Sequence, residues 1–190
     1  RPEMFWLNNV SGDAGGGTIS RPVFHFGIHD TTPWLYWLQL IDDTSIPSLG
    51  AAGTWAWDEK QPGTETVTIG TGGAFNDAGD VLCAIAFARV PGLIGIGHYT
   101  GNGASTSSRR GPNVIINDGA SGFRPAWLMI KNVNTDSRPW AIYDNKRTNV
   151  FNPTAELSNL LANSTDPEST VGRYQLDFTA TGFKIQDEAQ

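Results

Sequence analysis

Four tryptophans are the side chains of this 190-residue chain that are best suited to hold a ligand. Trp34 and Trp37 stand in the run WLYWLQLI, and Trp55 and Trp57 stand two residues apart in TWAWD. Flat aromatic rings that are exposed at a surface can stack on the apolar faces of sugars, so these residues are candidates for a glycan-binding surface. The same rings can instead fill the core of a β-sheet domain. The residues themselves leave both interpretations open.

Paired carboxylates are the next chemistry to consider, because a glycosidase needs two of them across a cleft. The adjacent pairs are Asp42-Asp43 and Asp58-Glu59, and neighbours on a strand point to opposite faces. The sequence also contains no G-x-S-x-G, H-E-x-x-H, P-loop or G-x-G-x-x-G motif. We therefore predict that the chain is not an enzyme and has no catalytic residues.

Metal ligands are sparse in this sequence. His25 and His29 share a strand face but stand about 13 Å apart at strand rise, too far to bind one ion. The Asn and Asp residues of the loop at 70–80 match no calcium-loop spacing and are typical of a turn. The single cysteine, Cys83, lies in an apolar run and is predicted to be a small buried side chain. We expect no metal and no cofactor.

Composition excludes several classes of partner. The net charge is −6 without a basic cluster, which argues against a nucleic-acid partner. No apolar run reaches the length of a membrane span. The chain has 22 Gly, 11 Pro and only 17% charged residues, so it is rich in turns and poor in solvated helices. The one helical candidate is short, at residues 154–162.

Two Arg-Pro pairs organise the C-terminal half. Arg124-Pro125 precedes the apolar run at 126–130, and Arg138-Pro139 precedes the run at 140–143. Proline fixes its own φ and biases the preceding residue toward extended geometry, so each pair is typical of a strand entry. Residues 132–137 between the runs are rich in Asn, Asp, Ser and Thr and predict a turn, so the whole segment predicts a β-hairpin.

The N-terminal half opens with the same pattern. Arg1-Pro2 and Arg21-Pro22 precede apolar runs in the same order, and residues 1–10 align with residues 124–133 without a gap. Repeats of this kind predict an internal duplication.

About a dozen short strand patterns with turn signals between them predict an all-β fold, an antiparallel β-sandwich. The duplication adds that it is built from two related copies, at residues 1–92 and 93–190. The copies either stand separately or merge into one sandwich. Met4 and Trp127, at equivalent positions, are expected to face the core. Residues 81–90 form the most apolar run, and we expect this strand to lie in the middle of a sheet.

Several motifs together resemble a known family. The chain is similar to an uncharacterised repeat of tailed-phage structural proteins, found in tail-fibre-like and other virion proteins. The matching segments are LCAIAFARVPG (82–92), HYTGNG (98–103), GFRPAWLMIK (122–131), WAIYDNKR (140–147), Asn152-Pro153 and TGFKI (181–185).

The resemblance implies a concanavalin-A-like, SPRY-like or jelly-roll-like β-sandwich. It implies a non-catalytic module of the virion or phage tail, produced in the host cytoplasm, that acts in assembly or surface binding. Its partners would be other virion subunits, in a homo- or hetero-oligomer. The alternative is a lectin-like module that reads a cell-surface glycan during host attachment, through Trp34, Trp37, Trp55 or Trp57.

The duplication also predicts that the chain is not self-contained. In the second copy, residues 183–185 take the place of residues 67–69, and the counterpart of the strand at 81–90 would follow them. A missing strand leaves backbone groups open along an edge. We expect the edge to be filled by residues beyond 190, by a neighbouring subunit, or by the 81–90 strand serving both copies.

Overall fold

A computed structural model describes residues 1–11, 21–27, 31–41, 56–72, 76–103, 110–146, 159–165, 167 and 176–185. Within these residues the chain forms ten β-strands and a 3-10 helix at Pro33–Leu35. All strand pairs are antiparallel, so the predicted all-β antiparallel class is confirmed. The strands are β1 (Met4–Asn9), β2 (Pro22–His25), β3 (Leu38–Gln39), β4 (Leu82–Phe87), β5 (Asn113–Ile115), β6 (Trp127–Ile130), β7 (Ala141–Asp144), β8 (Leu160–Leu161), β9 (Leu176–Phe178) and β10 (Gly182–Ile185).

The chain divides into two compact units. Unit 1 comprises Arg1–Ala88 and Val133–Ser137, and unit 2 comprises Arg89–Asn132 and Arg138–Gln190. The two units are defined by which residues lie close together in space. The predicted boundary after residue 92 instead separates two segments with similar sequences. The two-copy arrangement therefore stays a prediction.

Unit 1 contains one four-stranded sheet in the order β3-β2-β1-β4. Along β1 every second side chain is buried, namely Phe5, Leu7 and Asn9. This is the period-2 alternation that places successive side chains on opposite faces of a strand. One face of β1 therefore belongs to the core of unit 1, and Met4 and Trp6 lie on the other face.

The core of unit 1 is aromatic. Phe5 stacks on Phe24 with ring centroids 4.9 Å apart, and Trp57 meets Phe5 edge-on, also at 4.9 Å. The Trp57 indole N–H donates to the carbonyl of Tyr36 at 2.8 Å, which satisfies the one polar atom of this side chain. Trp57 lies outside any strand, so the part of the cover that it provides on this face of the sheet is irregular chain.

Residues 64–69, which alternate like a strand in sequence, form none in the structure. Val67 and Ile69 nevertheless pack against the unit 1 core. The alternating sequence pattern at 64–69 therefore agrees with the burial of Val67 and Ile69, but the backbone of this segment pairs with no described strand.

Unit 2 is built from two three-stranded sheets, ordered β5-β10-β9 and β6-β7-β8. Side chains from both sheets meet in one core, which is the arrangement of a β-sandwich. The buried members of this core are Ile130, Ala141, Tyr143, Leu176, Phe178, Phe183 and Ile185.

The two Arg-Pro hairpins are present, but their predicted facing is wrong. The segments 1–10 and 124–133 both contain a strand, β1 and β6, as expected. The core-facing residues are Phe5 and Leu7 in β1 and Ile130 in β6. Met4 lies on the opposite face of β1, and Trp127 is 54% exposed. The size and apolar character of a side chain alone do not determine whether the even-numbered or the odd-numbered residues of a short strand face the core.

The predicted helix at 154–162 is wrong at its C-terminal end. Leu160 and Leu161 form β8, which pairs with β7. Residues 154–158 lie outside the described ranges. In the described residues, no helix combines the length and apolar character needed to cross a bilayer.

Candidate functional site

The candidate glycan-binding tryptophans do not gather at one exposed surface among the described residues. Trp37 and Trp57 are buried in the unit 1 core, Trp57 to 1% exposure. Trp34 is half-buried in the 3-10 helix and packs against the same core. Trp55 lies outside the described residues. The burial favours the core interpretation for Trp37 and Trp57.

The acidic pair Asp58-Glu59 lies in a tight turn. Both residues adopt positive φ, 51° for Asp58 and 53° for Glu59, which is the left-handed geometry that turns use. The Asp58 carboxylate pairs with the Lys60 ammonium at the surface. Asp42 and Asp43, the other adjacent pair, are outside the described residues. The Asp58 carboxylate therefore serves a local contact within this turn.

The loop at 70–80 has the hydrogen bonds of an ordinary turn. The side-chain amide of Asn76 donates to the Gly70 carbonyl at 2.6 Å, and the Asp80 carboxylate accepts from the Asp77 N–H at 3.0 Å. His25 likewise accepts from the Gly27 N–H through Nδ1, at 2.8 Å. His29 lies outside the described residues. The side chains of Asn76, Asp80 and His25 thus form hydrogen bonds to nearby backbone groups.

Strand β4 occupies a different place from the one expected. Among the described strands it pairs with β1 alone and lies at the edge of the unit 1 sheet, which contradicts the predicted place in the middle of a sheet. Four of its six residues are exposed. The exposed residues are Cys83, Ala84, Ile85 and Ala86, whereas Leu82 at one end of the strand packs against the unit 1 core. Edge position and apolar composition together make β4 unusual among surface strands.

The backbone groups of β4 divide into two rows. The Val81 carbonyl accepts from the Val10 N–H at 2.9 Å, and the Phe87 carbonyl accepts from the Glu3 N–H at 2.9 Å. Odd-numbered residues therefore point their backbone groups toward β1. The alternation of an antiparallel ladder points those of Leu82, Ala84 and Ala86 away from β1, where no described strand pairs with them.

An apolar patch accompanies this edge on the sheet face opposite the core. Val10 and Val81 are directly joined by a hydrogen bond and are 56% and 57% exposed. Ile85, opposite Trp6, is 48% exposed. Cys83 is also exposed, so the prediction of a buried thiol is wrong. Neighbouring apolar side chains of this kind mark surfaces that bind other molecules.

Asp118 is a polar residue of unit 2 that sequence reasoning did not single out. Its Oδ2 accepts from the Gly92 N–H at 2.9 Å, and its Oδ1 accepts from the N–H groups of Ala120 and Gly122. The backbone hydrogen bonds from Gly92, Ala120 and Gly122 lower the pKa of this carboxyl below its ordinary value. The sequence signal was the run Asn117-Asp118-Gly119 after the apolar residues 114–116, which is typical of a turn. Asp118 therefore ties a turn together.

The edge and exposed face of β4 are thus a surface of unit 1 that is suited to an interaction. Comparisons with curated proteins and with solved structures find no match. A scan against family models matches residues 10–190. The chain belongs to the family described as a domain of unknown function, DUF7483.

Proposed function

We propose that this chain is a non-catalytic structural module of a tailed-phage particle, associated with the virion or its tail, that acts in assembly or surface binding. The observation that carries the proposal is the apolar edge of β4, which no described strand covers on its outer side. The resemblance of the motifs in residues 82–185 to virion proteins supplies the setting.

Edge strands are usually protected from pairing with other chains by charges, prolines or bulges. The segment from Val81 to Ala88 contains neither a charged residue nor a proline. Open backbone groups and exposed apolar side chains along one strand are the features that β-strand addition uses for binding. Particle assembly is a function that employs such an edge directly.

Carbohydrate recognition is the alternative function, and it has less support. Of the four candidate rings, Trp37 and Trp57 are buried, and only Trp34 is described with part of its surface exposed. A glycan array with the wild-type chain and Trp34→Ala tests this alternative. Ring-dependent binding of a glycan would favour it over assembly.

The proposed function is tested on particles. We expect mass spectrometry of purified virions, from the phage whose genome encodes this chain, to find the chain in stoichiometric amounts. An Ile85→Lys variant should fold but enter particles less than the wild type, because a lysine on an edge strand opposes pairing. Leu93→Lys, at an exposed leucine outside the strands, is the matched control. Particles that lack the chain, or that incorporate both variants equally, would contradict the proposal.

A further inference from the structure

The open edge of β4 has a charge distribution that suits one particular partner. The eight residues from Val81 to Ala88 carry no charge, Asp80 precedes them and Arg89 follows them. A second copy of the same strand in antiparallel orientation brings each Asp80 to the end of the ladder where the partner's Arg89 lies. A parallel arrangement brings like charges together instead, which disfavours pairing.

We propose that β4 pairs antiparallel with β4 of a second copy of this chain, in a two-fold symmetric dimer. This inference names the partner for the assembly role and rests on that proposed function only for its biological setting. The unit 1 sheets then join into one sheet of eight strands, β3-β2-β1-β4 followed by the same strands of the partner in reverse order. The interface is isologous, the type that closes after two copies.

The backbone geometry restricts the register of this pairing. Backbone hydrogen bonds between the two copies can form only between residues whose N–H and C=O groups point away from β1. In each copy these residues are Leu82, Ala84 and Ala86. Of the registers that meet this rule, those with the two-fold axis at Ala84 or at Ile85 overlap the two six-residue strands most fully, and we take these two as the candidates. In either register the exposed Ile85 side chain gains an apolar neighbour across the axis, since it lies beside the partner's Cys83 or the partner's Ile85.

Asp80 of one copy and Arg89 of the other attract each other over a distance and do not form a direct salt bridge. The Arg89 guanidinium already donates to the Asn117 Oδ1 at 2.7 Å, and Asp80 already accepts from the Asp77 N–H. Because these charges flank the strand, we expect dimer dissociation to increase modestly with salt.

Cys83 is a built-in probe of this arrangement because it is exposed and is the chain's only cysteine. In both registers the two Cys83 residues stand two to four strand positions apart, a span of about 7–14 Å at strand rise. We expect a short bis-maleimide to cross-link the wild-type chain into a covalent dimer. Sedimentation velocity over a concentration series should show a reversible monomer–dimer equilibrium.

Two variants test the edge itself. Ala84→Pro removes an outward-facing N–H without touching the bonds to β1, and Ile85→Lys places a charge beside the axis. Each should weaken dimerisation at least ten-fold and abolish the Cys83 cross-link. Near-UV circular dichroism and the thermal midpoint establish that each variant is folded, and Leu93→Lys is the control for added charge.

Three results would overturn the proposal. One is a wild-type chain that remains monomeric at every concentration. A second is a dimer that Trp127→Lys, on the edge strand β6, dissociates while Ile85→Lys does not. The third is a dimer in which Cys83 fails to cross-link. If the chain dimerises but is absent from virions, the proposed function is contradicted and the proposed β4 dimer interface is not.

Discussion

The two units begin from similar hairpins and complete their cores in different ways. The strand order β3-β2-β1 in unit 1 matches β8-β7-β6 in unit 2 when the Arg-Pro entries are aligned. Unit 2 covers this layer with a second sheet, β5-β10-β9. In unit 1 the described residues that pack on this layer include Trp57, which lies outside any strand. The shared strand order thus does not dictate what packs against it.

The units also differ at the strand that opens each Arg-Pro hairpin. In unit 1 the outer side of β1 is occupied by β4. In unit 2, within the described residues, β6 pairs only with β7. An equivalent position is therefore filled in one unit and open in the other. What completes the β6 edge stays a prediction, with the candidates that the duplication suggests.

The register of the two hairpins differs as well. Phe5 lies opposite Phe24 in unit 1, whereas Leu128 lies opposite Tyr143 in unit 2. In the alignment of the Arg-Pro pairs, Tyr143 corresponds to Phe26, so the pairing is displaced by two residues. A displacement of two keeps every side chain on its own face, whereas a displacement of one would reverse them all. A duplicated hairpin can therefore diverge in register without losing its core.

The largest effect is expected at the irregular layer of unit 1. Trp57→Ala removes a fully buried ring that contacts Phe5 and Phe24, and we expect it to lower the free energy of unfolding by about 3–5 kcal/mol. Chemical denaturation followed by fluorescence measures the loss. Trp34→Ala, which truncates a half-buried ring of the same core, is the control and should cost less. Equal losses would mean that Trp57 does not dominate this layer.

A smaller loss is expected at the central strand of a unit 2 sheet. A Cβ at Gly182 would overlap the carbonyl of Val114 on the neighbouring strand β5, and backbone cannot move aside easily. We expect Gly182→Ala to cost about 1–3 kcal/mol, in the range of other overpacked sites. Gly101→Ala is the control, because a Cβ added there would meet nothing within 4 Å. A Gly182→Ala variant as stable as Gly101→Ala would contradict the close β5–β10 approach.

Acid should weaken unit 2 through Asp118. Because the folded state lowers the pKa of this carboxyl, its stabilising contribution is present above the usual Asp pKa and is lost as the pH falls through the folded value. Asp118→Asn should therefore be less stable than the wild type at pH 7, with a difference that shrinks below about pH 4. Denaturation at several pH values tests this, with Asp58→Asn in a surface turn of unit 1 as the control. If the difference in stability between the wild type and Asp118→Asn does not change with pH, the charge of the Asp118 carboxylate does not contribute to stability.

Alkali should act on unit 2 through Tyr99. This ring packs edge-on against Phe183 at 5.7 Å, and burial raises the pKa of Tyr99 to about 12. The stability contributed by the protonated phenol is full below the unfolded pKa of 10.0 and is lost as the pH rises toward 12. Tyr99→Phe should flatten the loss of stability over this window and change little at pH 7. Stability measurements across the alkaline range that show no difference between the two chains would contradict this role.

Strand positions were predictable from sequence where proline and turn residues constrain the backbone directly. The entries at Arg1-Pro2 and Arg124-Pro125 lead into β1 and β6 as expected. The place of β4 in its sheet was not predictable, because an apolar run fits a buried central strand and an exposed binding edge equally well. What decides between them is which other segments pair with the strand. That is a property of the whole fold, and no local pattern encodes it.

The candidate site shows the same limit. Trp34 and Trp57 each have a second tryptophan within three residues, yet Trp57 is fully buried and Trp34 is half-buried. The exposed patch joins Val10 and Val81, which are far apart in the chain and meet only through the β1–β4 ladder. Composition indicates which side chains are apolar, and only the register between strands shows which of them are exposed together.

The smallest effect is expected at Trp127, and it separates the two units most sharply. Met4 and Trp127 are equivalent in the sequence alignment, and the duplication predicts a core role for both. Trp127 is instead 54% exposed. Trp127→Ala should therefore change the free energy of unfolding by no more than about 0.5 kcal/mol, as is usual for surface positions. Ile130→Ala, at a buried position of the same strand, should cost about 2–5 kcal/mol. Urea denaturation of both variants measures the contrast. A large loss for Trp127→Ala would restore a core role for this ring and bring β6 back into the facing that the repeat predicts.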